Sequence, residues 1–469
     1  MSATTAPRGM VDLWPGVRRY GPLVALILVT AGLGAAGLSV ARPIFIVGCV
    51  LVAWDAMRFG AATNFAVCFV MFCLAPFLRR LVDVHAGYEA SGLMISGPLL
   101  AIMVPAPWLL ISLTGGRTVD AALRPFFIVC ACGFYGTVLT IIGGDLTQAV
   151  SGAVKWLGPP IYGMWLYGKA QHEDRLTETV ALVSVVLLPI LGLYGFWQYV
   201  DPPIWDRFWM TYTVIASIGQ PEPFMVRVFS TMNAPAGYAT FTAAGLLLFG
   251  FRRARLTAVL AAAPSVLGLM LSMYRTAWIG LAVGVVVGLF HPQTWRRAAI
   301  LLITVPILGA AAIAFTPAGE ALQERLRTFG SVTEDSSGLE RLSEYSDLLN
   351  ADGGTLVGHG FGTVDVMQAG SKALDGQFIV SWFTFGLILG IISTVAVIWA
   401  GVQGARSAWR TGTLSGMTAA AVLLSLLIQL PLATISSSEI GFLFWSFAAI
   451  GAATRSDCAR TAQREPSID

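Results

Sequence analysis

Three arginines fall in segments where a cation needs a reason. Arg275 sits in Leu271-Ser-Met-Tyr-Arg-Thr-Ala-Trp278, between two apolar runs, and Arg227 in Phe224-Met-Val-Arg-Val-Phe-Ser-Thr-Met-Asn233, just before Pro235 and Gly237. Arg341 lies on a short helical pattern in the chain's one long polar stretch. A guanidinium stays charged in a low-dielectric site and its fork matches phosphate oxygens, so three of them together could clamp a diphosphate. Each has a plainer alternative. Arg275 could snorkel to an interface, Arg227 could pair with Asp206 or Glu222, and Arg341 could line a solvated helix face. Two further residues could move a proton. Asp375, in Leu374-Asp-Gly-Gln-Phe378, stands at the mouth of a long apolar run, and His359 stands in Gly358-His-Gly-Phe-Gly362. Either could act as a general base. The alternatives are a helix cap for Asp375 and a turn histidine for His359.

The sequence has no Walker glycine loop, no His-Glu-x-x-His, no Gly-x-Ser-x-Gly and no dinucleotide fingerprint. ATP-driven, metalloprotease and esterase chemistry lose their usual support. Cys49, Cys68, Cys73, Cys130 and Cys132 lie in apolar runs and Cys458 in a polar tail, which suits small core residues better than disulfides or zinc. Neither a metal nor a cofactor is expected.

The elements that must position these groups follow from composition. Of 469 residues only 12% are charged and 56% are hydrophobic, with mean hydropathy +0.73. A soluble domain carries about 25% charged residues, so a soluble enzyme, a disulfide scaffold and a disordered chain are all excluded. The net charge of +3 argues against nucleic acid as a partner. The expected fold is an all-α polytopic integral membrane protein with 12 to 14 transmembrane helices, each of about 20 apolar residues. Candidate spans are 22–40, 43–57, 60–78, 91–114, 123–143, 149–168, 178–199, 209–219, 236–251, 256–273, 276–290, 298–316, 376–404, 411–433 and 439–454. Residues 43–78 could hold one tilted span or two, and 209–219 is too short to cross alone. Arg8, Arg18 and Arg19 precede an apolar run too long for a signal peptide, which reads as the first membrane helix.

Basic loops set the orientation. Arg252, Arg253 and Arg255, then Arg296 and Arg297, then Arg406 and Arg410, then Arg455, Arg460 and Arg464 mark cytoplasmic segments. The intervening segments 220–235, 274–275, 317–372 and 436–439 then face outside, and both termini lie in the cytoplasm. Arg79 and Arg80 contradict this alternation, as an exception or as a sign that 43–78 is miscounted. The domain plan is a cytoplasmic segment 1–21, a membrane domain 22–454 and a cytoplasmic tail 455–469. The outside segment 317–372 has 56 residues with nine acids and four bases. Ser337-Gly-Leu-Glu340 has capping-box spacing, and Leu339, Leu342, Tyr345, Leu348 and Leu349 predict a short amphipathic helix. A long structured loop between membrane helices is a functional candidate.

Arg227 with Thr231-Met-Asn-Ala-Pro-Ala-Gly-Tyr238 resembles the Arg…Asn-Pro segment of the O-antigen ligase and polymerase superfamily. Tyr274-Arg-Thr-Ala-Trp278 resembles that family's Ser-Arg-(Gly/Ser)-Ala helix start. Arg341…Leu349 followed by Leu356-Val-Gly-His-Gly-Phe-Gly362 resembles its Arg…Leu-x-Gly-x-Gly stretch. Asp375-Gly-Gln-Phe…Phe385-Gly-Leu resembles its (His/Asp)-Asn-x-Tyr…Gly-Leu motif. The likeness covers about residues 190 to 400, with the motifs in the family's order.

The resemblance implies a metal-independent membrane glycosyltransferase of the GT-C type in the bacterial inner membrane, working at its periplasmic face on undecaprenyl-diphosphate-linked oligosaccharide. It implies that Arg227, Arg275 and Arg341 hold the diphosphate and that Asn233, Tyr274 and Gln377 bind substrate. A flippase and a chain-length regulator of the same pathway are the implied partners, beside membrane lipids. Ligases of the family place histidine where this chain has Asp375, and asparagine where it has Gly376-Gln377. That departure favours a polymerase of repeat units, for exopolysaccharide, capsule or O-antigen, over a ligase acting on lipid A core or protein. Asp375 and His359 both stay open as the base. A secondary transporter is the rival from another class, but no internal repeat of the transporter kind is evident.

Overall fold

The computed structural model describes residues 13–114, 120–170, 175–213, 215–253, 256–315, 356–361 and 376–464, with isolated positions at 317, 319 and 323. Arg341, Asp375 and the helix expected over 337–349 lie outside the described residues. The helices are α1 Leu13–Ala35, α2 Ala41–Met57, α3 Ala61–Ala86, α4 Ser96–Met103, α5 Ala106–Thr114, α6 Arg124–Ile142, α7 Leu146–Ala170, α8 Leu176–Val200 and α9 Ile204–Tyr212. They continue with α10 Pro235–Arg253, α11 Leu256–Leu271, α12 Arg275–Leu289, α13 Trp295–Phe315, α14 Gln377–Phe385, α15 Leu387–Arg410, α16 Leu414–Leu427 and α17 Ser438–Arg464. No strand occurs among the described residues. Among the described residues, five helical stretches are long and apolar enough to cross a membrane: Ala61–Ala86, Leu93–Ile111, Ala121–Ile142, Leu176–Val200 and Leu387–Arg410. The fold is that of an all-α membrane protein.

Helix α8 shows why a bilayer is the solvent. Leu182, Val186, Ile190, Leu193 and Trp197 recur at helical spacing and are 44–66% exposed, whereas Ala181, Ser184, Leu188, Leu191 and Gly192 face inward. An aqueous helix would carry charge on the outer face; this one carries its largest apolar side chains there. Small residues let the inner faces close. A methyl on Gly192 would lie 2.3 Å from the backbone of Pro264 in α11, and one on Gly163 in α7 would lie 2.8 Å from the Trp445 carbonyl. Gly404 of α15 and Gly451 of α17 meet backbone to backbone. Such small-residue seams substitute for the hydrophobic effect between helices in lipid. α17 runs through the middle, with Phe442, Leu443, Phe444, Trp445 and Phe447 fully buried.

The helices break two of the expected spans and decide two cases that spacing left open. Residues 43–78 hold two helices, α2 and α3, parted at Gly60, whose φ of 104° a side chain would resist. The span 91–114 is broken at Val104–Pro105 into α4 and α5. The span 209–219 is no crossing: α9 starts after Pro202-Pro203 and ends at Tyr212, and a short bridge pairs Gly219 with Val226. The span 376–404 is broken at Gly386, φ 84°, into α14 and α15. At the two ends, α1 already begins at Leu13, and α17 runs on to Arg464.

The α8–α11 seam makes a sharp test. Gly192→Ala forces two backbones apart, and overpacking of this kind costs about 1–3 kcal/mol or more, so the purified protein should unfold at a lower temperature. Gly21→Ala, whose added methyl meets nothing within 4 Å, should leave that temperature unchanged or raise it. Equal behaviour of the two variants would contradict the seam.

Candidate functional site

Arg79 and Arg80 lie inside α3 and are not loop charges at all. Arg79 pairs with Asp83, which also accepts from Arg42 of α2 at 2.9 Å. Arg80 is fully buried with its Nε 2.7 Å from Asp206 of α9, which is also fully buried. The second carboxylate oxygen of Asp206 accepts from Tyr194 at 2.8 Å and Gln198 at 2.6 Å, both on α8. Burial pushes the Asp206 carboxyl pKa upward, while the Arg80 charge and the Gln198 and Tyr194 hydrogen bonds pull against it. The ring of Phe229 lies 5.0 Å from the Arg80 guanidinium. Asp206 is therefore committed to Arg80, and the expected alternative of an Arg227–Asp206 pair is overturned.

This pair fixes the segment 226–233. Arg80 donates from Nη1 to the Met232 carbonyl and from Nη2 to the Ser230 carbonyl, with Asn233 Oδ1 at 3.5 Å. Gln198 Oε1 accepts from the backbone N–H groups of Phe229 and Ser230, and Thr231 donates to the Cys73 carbonyl. Ser230 is thereby held at φ 51°. Further along, Val228 donates its N–H to the Leu271 carbonyl at 3.1 Å, and the Arg227 guanidinium donates to the Met273 carbonyl at 3.3 Å. Met273, at φ 52°, turns the chain so that Tyr274 precedes α12 and Arg275 is its first residue. Arg227 and the Tyr274–Arg275 turn thus share one corner, and all three residues are half-buried.

The turn between α16 and α17 gathers the other elements. Gln429 is buried, accepts from Thr240 of α10 at 3.2 Å, and lies where a methyl on Gly280 of α12 would meet it. Gln377, the first residue of α14, donates its N–H to the Leu430 carbonyl. Its side-chain oxygen accepts from Ile435 and Ser436 N–H, and its amide nitrogen donates to Ser381. Gly376, not Asp375, is the N-cap of α14. Gln429 and Gln377 thus tie α10, α12 and α14 to the turn between α16 and α17.

His359 lies elsewhere. Residues 356–361 dock into the break between α14 and α15. His359 N–H donates to the Phe383 carbonyl at 2.8 Å, Gly360 N–H to Thr384, and Phe361 N–H to the Thr140 hydroxyl of α6. A methyl on Gly358 would sit 2.3 Å from the Gly386 nitrogen, which explains glycine at both positions. The imidazole stacks on Phe383 at 5.6 Å. Phe383 is six residues along α14 from Gln377, about 9 Å at 1.5 Å per residue.

Two residues of this region escaped the sequence reading. Glu439, at the edge of the expected segment 436–439, directs its carboxylate at Gly237 of α10, and Lys155 of α7 acts on it electrostatically. Asp206 was noticed but given the wrong partner. The available signal was charge inside apolar helices, which applies equally to Lys155 and Arg80. Among the described residues no group of three metal-ligating side chains occurs. Compared with protein-family models, with curated proteins and with solved structures, the chain finds no match.

Removing Asp206 strands a buried cation. Asp206→Ala should destabilise the purified protein by about 3–5 kcal/mol, read from its unfolding in detergent. Unchanged stability would mean that Arg80 finds its compensation elsewhere.

Proposed function

We propose that the chain is a glycosyltransferase of the bacterial inner membrane, polymerising undecaprenyl-diphosphate-linked oligosaccharide repeats at the outer face. The observation that carries this is the shared corner: Arg227, seated on the Met273 carbonyl, beside Arg275 at the start of α12. These two arginines come from separate motifs of the O-antigen ligase and polymerase resemblance. A leaving diphosphate gains charge as the glycosidic bond breaks, and fixed guanidinium groups near it stabilise that charge without a metal. Arg341 would complete the clamp from the acidic loop.

The orientation proposed with it has both termini in the cytoplasm. With 43–78 as two helices, each helix or broken helix long enough to count makes one crossing. The basic residues Arg58, Lys169 and Arg175 then fall on the same side as the basic loops of the second half. Arg79 and Arg80 cease to be an objection, because their charge is neutralised inside the protein.

Deleting the protein from its host should leave single repeat units on the carrier or core. Long chains accumulating on the carrier would instead indicate a ligase, and saturable solute uptake with neither product a transporter. Arg275→Ala, inserted normally, should abolish polymer. Arg275→Lys should restore little of it, because ammonium lacks the bidentate fork. Full polymer from Arg275→Ala would refute the diphosphate clamp.

A further inference from the structure

The proposed reaction needs a base for the acceptor hydroxyl, and a carboxylate stands in the gathered region without a task. Glu439 opens α17, a helix with no other charge before Arg455. Glu439 is half-buried. A methyl on Gly237 would lie 3.2 Å from Glu439 Oε1 and 3.4 Å from the Met232 methyl. Met232 is the residue whose carbonyl Arg80 holds. The clamp on segment 226–233 therefore extends directly to the surroundings of Glu439.

A second neighbour is α7. Pro159 meets α17 where a methyl on Gly441 would touch it at 3.3 Å. Lys155 lies one turn away on the same face of α7, and its charge acts on the Glu439 carboxylate. Below, Gln377 ties the backbone of Ile435 and Ser436, so the turn leading into Glu439 is rigid. A half-buried carboxylate fixed beside Gly237 and Met232, the residues flanking the Asn233–Pro235 turn, is placed to take a proton. His359 is bound into the α14–α15 break instead.

We infer that Glu439 is the catalytic base that accepts the proton of the incoming sugar hydroxyl. The hydroxyl oxygen forms the new bond to the anomeric carbon, and its proton passes to the Glu439 carboxylate. The anomeric carbon–oxygen bond breaks, and its electron pair leaves with the undecaprenyl diphosphate. This inference rests on the glycosyltransferase proposal above.

The test compares Glu439→Gln, Glu439→Asp and Arg275→Ala in two assays: polymer formed in the host, and undecaprenyl diphosphate bound by the purified protein in nanodiscs. Glu439→Gln should lower polymer by about 10²–10⁴-fold with carrier binding unchanged, and Glu439→Asp should recover part of the activity. Arg275→Ala should lose polymer and carrier binding together. Normal polymer from Glu439→Gln, with none from Arg275→Ala, would overturn Glu439 as base and leave the clamp standing. Loss of carrier binding in Glu439→Gln would also overturn it, by making the residue structural. Normal polymer from Arg275→Ala would remove the glycosyltransferase proposal and this inference with it.

Discussion

A guanidinium buried among membrane helices must have every charge and hydrogen-bond requirement met by protein, and Arg80 meets this condition through a single arrangement. Its carboxylate partner Asp206 has to come from α9, so α9 cannot cross the membrane and instead packs on α3. Tyr194 and Gln198 must then face the same carboxylate, which sets the rotation of α8. The remaining donors of Arg80 capture the carbonyls of Ser230 and Met232, so the segment that carries Arg227 and Asn233 has no freedom to drift. Whether such a pair adds net stability over an apolar replacement is a separate matter; what it supplies here is register.

Two kinds of backbone irregularity complete the arrangement. Gly386 interrupts the long apolar run after Gln377, and the opened backbone is filled by Gly358 and Gly360 approaching closer than any side chain would permit. Non-helical backbone at such a point is tolerated only where protein covers it, which residues 356–361, Thr140 and Trp156 do. The α16–α17 turn shares hydrogen bonds and close contacts with α10, α12 and α14. Gln377 and Gln429 thus hold this turn to the neighbouring helices.

Much of the helical layout was legible because apolar runs report directly on burial in lipid. The breaks were less so: Gly60 and Pro105 are visible punctuation, but Gly386 breaks its helix only because a distant glycine segment docks there. Arg79 and Arg80 misled the orientation count because that rule weighs charges by position along the chain, blind to burial. Asp206 went to the wrong arginine for a related reason, since nothing in sequence spacing links residue 80 to residue 206. Arg227 and Arg275 stand out by residue type, but the hydrogen bond from Arg227 to the Met273 carbonyl is not visible in spacing. The convergence of Gln377, Gln429 and Glu439 was not visible either, because amides and a lone acid at helix ends look like ordinary caps until their partners are known.

The central claim is that Arg227 and Arg275 act on one anionic group at the outer end of α12. The most direct measurement is a structure of the protein in nanodiscs with undecaprenyl diphosphate bound. The account predicts phosphate density within hydrogen-bond distance of both guanidinium groups, beside the turn that holds Glu439. Density bound away from that corner, with both arginines directed only at protein, would contradict it.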